Sequence, residues 1–160
     1  MLIATPPLFE PKPLLNLHPA APGGPVGTWQ DVTWQMIDRR ADHGGVRIHL
    51  VTGSLDEGPI ATYCTYSLRG PNIDLLWRAV EGRSAEEIRQ EEGEAHLLFQ
   101  EIRRRGAARE LPLVVETLRA FAGGRMRVED GRPIAGATKL ASGYDLTPEI
   151  EGALAGAAPA

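Results

Sequence analysis

Clusters of glycine and proline cut this chain into short segments, and that punctuation constrains its fold more than any other feature. Pro6, Pro7, Pro11 and Pro13 each fix their own backbone and push the preceding residue toward extended conformations. Residues 1–13 are therefore read as an extended connecting segment. Pro19 to Gly27 holds three prolines and three glycines, which forbid regular structure and mark a loop. Gly44-Gly45, the turn from Gly53 to Pro59, and Gly123-Gly124 are further stops.

What lies between the stops is short and alternates in type. Leu14 to His18, Val46 to Val51, and Ile60 to Leu68 carry the β-branched and aromatic residues of strands. Arg125 to Glu129 is a possible last strand, closed by the turn signal Asp130-Gly131. Thr28 with Asp31 forms a capping box opening a helix to about Arg40. Ser84 with Glu87 forms a second, after which Ile88, Ala95, Leu98, Phe99 and Ile102 recur at helical spacing and predict one long amphipathic helix. Gly106 is read as a break before a shorter helix from about Glu110 to Ala122, and the Ala/Gly/Pro tail from Leu154 as disordered. Strands alternating with helices indicate an α/β layer architecture. Only three or four strands are available, and no Gly-rich phosphate loop follows the first of them.

Composition narrows the class. A formal net charge of -4 argues against a nucleic-acid binder, which needs a basic face for phosphates. The one basic run, Arg103-Arg104-Arg105, is assigned to a helix end and solvent. A single cysteine, Cys64, cannot form an internal disulfide and is expected to be a buried, inert thiol. No apolar run reaches the roughly 20 residues that span a bilayer. No signal peptide opens the chain, so a cytoplasmic protein with no membrane partner is expected.

Asn16 and His18 are two apart on a short strand, so their side chains share a face, beside a glycine-rich loop. An amide next to an imidazole suits a reaction in which charge grows on a carbonyl oxygen while a proton moves. Asn would bind the oxyanion, and His would stabilise it or shuttle the proton. Spacing alone leaves a second possibility open: a polar strand end whose Asn caps a turn and whose His is half buried. Asp56, before Glu57-Gly58-Pro59, is equally a common turn residue. His49, mid-strand, is assigned a structural role, and His43 and His96 solvent or interface positions. Trp29, Trp34 and Trp77 are expected in the core, and no histidine pair has the spacing of a zinc site.

The combination of segments adds to this. Leu15 to Pro19 resembles the Asn-x-His-Pro strand of the folate-dependent formyltransferases. Gly45 to Ile60 is similar to the same family's Gly-x-x-x-His block running into Leu-Asp-x-Gly-Pro-Ile. Leu111-Pro112-Leu113 with Phe121 to Arg125 resembles its closing helix and exit. The blocks stand in the family's order across residues 14–131, and the branch most resembled is phosphoribosylglycinamide formyltransferase.

That resemblance implies a partial Rossmann-like formyltransferase fold, the C-terminal half of the sheet with flanking helices, over 14–131. Residues 132–160 would be a partly disordered extension. It implies formyl transfer from 10-formyltetrahydrofolate to an amine, with glycinamide ribonucleotide and purine biosynthesis as the leading case and no metal. Asn16, His18 and Asp56 would be the catalytic trio, with Asp56 raising and orienting the His18 imidazole. Val51, Thr52, Gly53, Ser54 and Leu55 would line the pteridine pocket. The family's N-terminal half, with its phosphate loop, has no counterpart here, so a complementing half or a homo-oligomer is an expected partner. The loop after His18 and the position of the acceptor-binding acid, which falls at Ala107 with Glu110 a turn away, depart from the family. A different acceptor, hydrolysis of the formyl-folate, or an inactive partner-binding remnant are the alternatives.

Overall fold

The computed structural model describes residues 13–54 and 56–157. The chain order begins β1 (Leu15–His18), α1 (Trp29–Asp38), β2 (His43–Leu50), β3 (Ile60–Ser67), α2 (Pro71–Ala79) and α3 (Ala85–Glu91). A 3₁₀ turn (Gly93–Ala95) leads into α4 (Leu97–Ala122). Then follow β4 (Met126–Glu129), β5 (Arg132–Ala135), β6 (Thr138–Lys139), β7 (Tyr144–Asp145) and α5 (Thr147–Ala157). One sheet runs β1-β2-β3-β7, with β1, β2 and β3 antiparallel and β7 parallel to β3. A smaller antiparallel sheet runs β4-β5-β6. Helices pack against the first sheet, giving the mixed α/β layering that alternating segments imply.

The core lies between β2, β3 and the helices. Val46 and Ile48 of β2, Ala61 and Cys64 of β3, and Leu98, Phe99 and Ile102 of α4 are buried there. Burying each such large apolar side chain contributes about 1.5–3 kcal/mol. Trp34 and Trp29 of α1 pack on Phe99, at centroid distances of 4.7 and 6.0 Å. Trp77 donates its indole N–H to the Leu68 carbonyl at 2.8 Å, so its one polar group is satisfied in the core. Cys64 is buried, and burial pushes its thiol up to about 11.

Both capping boxes form, Thr28 with Asp31 and Ser84 with Glu87. Several other expectations change. The single long helix from Ser84 is three pieces, because Gly93 takes a left-handed backbone (φ 57) and the chain restarts at α4. His96, expected at solvent or an interface, is buried, and its Nδ1 caps α4 by accepting the Leu98 N–H at 3.1 Å. His43 is exposed.

Conversely, Gly106 does not break α4. It is buried, and a Cβ there would come 2.8 Å from the Tyr66 hydroxyl, so glycine admits a close approach of helix to sheet. Pro112 inside the same helix forgoes a backbone hydrogen bond, a cost of about 3 kcal/mol. Yet Leu98, Ile102, Gly106, Leu113, Thr117 and Ala120 form one buried stripe through it, and that packing outweighs the loss. Arg103, Arg104 and Arg105 therefore lie mid-helix, each paired with Glu110 or Glu101, rather than at a helix end.

Helix α2, which no expectation included, starts at Pro71 in the first turn, where a missing N–H costs nothing. The Asp130-Gly131 turn closes a two-residue hairpin between β4 and β5. Past it, β5, β6, β7 and α5 form, with Leu146 and Ile150 fully buried. The tail from Leu154 is thus helical to Ala157, because α5 packs on α4 and β3. Residues 158–160, like the proline-rich stretch up to residue 12, lie outside the described residues.

Candidate active site

Strand register builds this site. β1 runs antiparallel to β2 with Asn16 opposite His49, Leu17 opposite Ile48 and His18 opposite Arg47. Side chains alternate along a strand, so Asn16, His18, Arg47 and His49 share one face, while Val46, Ile48 and Leu50 take the other. Gly44 and Gly45, expected to end a helix, are inside β2. A Cβ on Gly45 would come 2.6 Å from the Ala21 Cβ, so its absence lets the loop after His18 lie against the strand.

The segment between β2 and β3 folds back over the same face. The Leu50 N–H donates to the Pro59 carbonyl at 2.9 Å. A Cβ on Gly58 would sit 1.6 Å from the Leu50 carbonyl oxygen, so only glycine fits. Asp56 takes a left-handed backbone (φ 55), which Asp tolerates better than most residues, and its carboxylate enters the site.

There it meets three side chains. Asp56 Oδ1 accepts from the Asn16 amide at 3.3 Å and lies 3.5 Å from His49 Nε2. Asp56 Oδ2 lies 3.4 Å from His18 Nδ1. His49 Nδ1–H donates to the Leu50 carbonyl at 3.1 Å, which leaves Nε2 to accept from the Asn16 amide at 3.3 Å. Asn16 must present its amide nitrogen here, since its oxygen would face a carboxylate. The structure thus brings together Asn16, His18 and Asp56. It also includes His49, which had been assigned a merely structural place. The antiparallel register that sets His49 across from Asn16 is a tertiary fact. In the sequence its traces were the alternation of Val46-Arg47-Ile48-His49-Leu50 and the place of His49 in the matched block.

His18 is buried at 2% exposure. Its Nε2–H donates to the Pro25 carbonyl at 3.0 Å. Both ring nitrogens face acceptors, an arrangement that an imidazolium satisfies best. Burial nevertheless holds its pKa below the ordinary value, with Arg47 and His49 adding to the effect and the Pro25 carbonyl and Asp56 opposing it. The carboxylate does act in the expected upward direction, but loss of hydration outweighs it and the net shift is down.

Asn16, His18 and Asp56 open onto a cavity of about 540 Å³. Trp29 and Gln30 of α1 and Arg103 and Glu110 of α4 form its other side. Arg103 hydrogen-bonds Glu110 and lies 5.0 Å over the Trp29 ring. Val51, Thr52, Gly53 and Ser54 are not in that wall. Val51 donates its N–H to Leu14, and Thr52 and Ser54 form a local turn. Leu55 lies outside the described residues. No three His, Cys, Asp or Glu side chains among the described residues are grouped to hold a metal ion. Among the same residues, no helix is long and apolar enough to cross a membrane.

An amide and an imidazole at a cavity mouth can stabilise a developing oxyanion, and a carboxylate reaching both can relay a proton. No family model and no curated protein sequence matches the chain. Solved structures do. A phosphoribosylglycinamide formyltransferase from Coxiella burnetii is similar at TM-score 0.55 and 21% identity, over 82% of this chain and 49% of that one. One from Anaplasma phagocytophilum is similar at TM-score 0.51 and 16% identity, over 82% and 51%. A formyltetrahydrofolate deformylase from Burkholderia mallei gives TM-score 0.51 and 19% identity, over 84% and 39%. The chain spans about half the length, or less, of these structures. Across that span, this chain has the fold of the folate-dependent formyltransferase family.

Proposed function

We propose that this site transfers a formyl group from 10-formyltetrahydrofolate to an amine, with glycinamide ribonucleotide as the first acceptor to test. One observation carries the proposal: the Asp56 carboxylate contacts both the Asn16 amide and the His18 imidazole at the edge of one cavity. The shared fold supports it.

In this mechanism the acceptor nitrogen attacks the formyl carbon, a C–N bond forms, and the carbonyl π electrons move onto oxygen. Asn16 and His18 stabilise that oxyanion. Asn16's amide hydrogens are held by 3.3 Å contacts to Asp56 and His49. Bonds that long are weak, so one is readily given up to a new anion. As the oxyanion forms, His18, disfavoured as a cation in the free site, takes up a proton from solvent and so provides the counter-charge. It releases that proton when the intermediate collapses. Asp56 accepts the proton lost by the attacking amine. The intermediate collapses by breaking the bond to folate N10, which receives that proton.

The Val51–Leu55 segment is proposed to bind the pteridine through its backbone. β1 is an outer strand of its sheet with Leu15 exposed. That edge is where we place a complementing half or a second copy. Hydrolysis, with water as acceptor, is the second reading, favoured by the similarity to a deformylase.

Formyl transfer should be assayed with and without glycinamide ribonucleotide, with a family N-terminal half supplied in trans. Product analysis separates formylated amine from free formate. No micromolar folate binding, or a rate indifferent to His18→Ala, would sink the proposal.

A further inference from the structure

Arg47 is buried at 4% exposure beside the site. A buried guanidinium is ordinarily matched by a carboxylate. The hydrogen bonds of Arg47 go instead to two main-chain carbonyls. Its Nη1 donates to Ala21 at 2.9 Å and its Nη2 to Asp56 at 3.3 Å. Those carbonyls belong to the two loops that frame the cavity, one following His18 and the other carrying Asp56. Both are in fixed geometry: the Ala21 carbonyl also closes a turn with the Gly24 N–H at 2.9 Å, and Asp56 is in the left-handed region. Arg47 is also the residue directly across from His18 in the β1–β2 register.

We propose that Arg47 is the positioning residue of this site, a buried cation that ties the Asp56 loop to the loop after His18 and thereby sets how their side chains meet. The role in catalysis rests on the formyl-transfer reading above; the tether itself does not. A planar guanidinium has five donors in a fixed fork and can hold two divergent carbonyls at once. A lysine in the same place keeps the charge but not the fork.

The charge has its own consequence. His18 is faced by Asp56 and the Pro25 carbonyl, by Arg47 and His49 of β2, and across the cavity by Arg103 and Glu110 of α4. Arg47 is a positive group beside an imidazole, so it opposes protonation of His18 while Asp56 favours it.

The test uses the unliganded full chain. The His18 imidazole is titrated by nitrogen-resolved NMR, and amide exchange is measured at Glu57 and Gly58, in wild type, Arg47→Met and Arg47→Lys. In Arg47→Met the His18 midpoint should rise by about half a pH unit or more, and exchange in the loop should accelerate by about tenfold. In Arg47→Lys the loop should loosen while the midpoint stays near that of wild type. A folded Arg47→Met with unchanged midpoint and exchange overturns the proposal. Should that variant not fold, unchanged loop exchange in Arg47→Lys overturns it. Wild-type protein that transfers no formyl group, yet shows these shifts in its variants, loses the formyl-transfer reading and keeps the tether.

Discussion

The two faces of β2 are built on the same eight residues and obey different rules. On one, Val46, Ile48 and Leu50 are buried, the first two within the apolar core shared with β3 and the helices. Any well-shaped apolar group contributes there, because dispersion and burial are non-directional. On the other, Arg47 and His49 are just as buried, at 4% and 2% exposure. Both terminal nitrogens of Arg47 and both ring nitrogens of His49 have a specific partner: Ala21, Asp56, Leu50 or Asn16. The first face makes the strand stable. The second fixes geometry at a cost in dehydration, and the lowered pKa of His18 is where that cost is visible. Burial alone therefore does not distinguish core from site in this protein; partner specificity does.

The sharpest way to break this contrast is Gly58→Ala. Its Cβ would collide with the Leu50 carbonyl, so the Asp56 loop must leave the polar face or the strand must shift. A loss of about 4 kcal/mol or more is expected in denaturant unfolding, together with loss of the His18–Asp56 contact by NMR. Next comes Asn16→Ala. Its residue is exposed, so the midpoint of thermal unfolding should barely move. The rate of formyl transfer should fall by about 10²–10³ if the amide serves the oxyanion. A comparable fall in stability with no change in rate would assign Asn16 to structure instead.

On the apolar face, Ile48→Val should cost about 0.5–1.5 kcal/mol in stability and leave the His18 titration where it was. A displaced titration would mean the two faces are coupled through the strand. The smallest expected effect is in pH. His18 is depressed in the folded state and has an ordinary value of about 6.5 when unfolded. Between those values the unfolded chain binds more protons, so stability is full above about pH 6.5 and declines as pH falls toward the folded value. Replacing His18 with Gln should flatten that decline in unfolding curves from pH 7 downward. A decline equally steep in His18→Gln places its origin elsewhere.

Local chemistry made much of the fold legible. Thr28 and Ser84 start helices because a hydroxyl with an acid three residues on satisfies free backbone N–H groups, whatever surrounds them. Asp130-Gly131 makes a hairpin because its backbone preference is local. Gly106 and Gly44-Gly45 misled for the opposite reason. They look like breaks, yet they serve close approaches to Tyr66 and Ala21, partners 40 and more than 20 residues away. Residues 132–157 carried little periodic signal, and their order comes from packing Leu146 and Ile150 into the core.

The site divides along the same line. Asn16 and His18, two apart on a strand before a Pro/Gly loop, and Asp56, in a tight turn, were visible from spacing and resemblance. The resemblance also implied that the three meet. It did not reveal Arg47 beside them, and His49, although inside the matched block, read as structural. The sequence by itself determined which residue types could do the chemistry and where turns and caps must fall, since those depend on neighbours within a few residues. Tertiary structure decided that Asn16 faces His49 and His18 faces Arg47, and that burial outweighs Asp56 at the His18 imidazole. Strand register and dehydration are set by the whole folded chain, and no window of the sequence contains them.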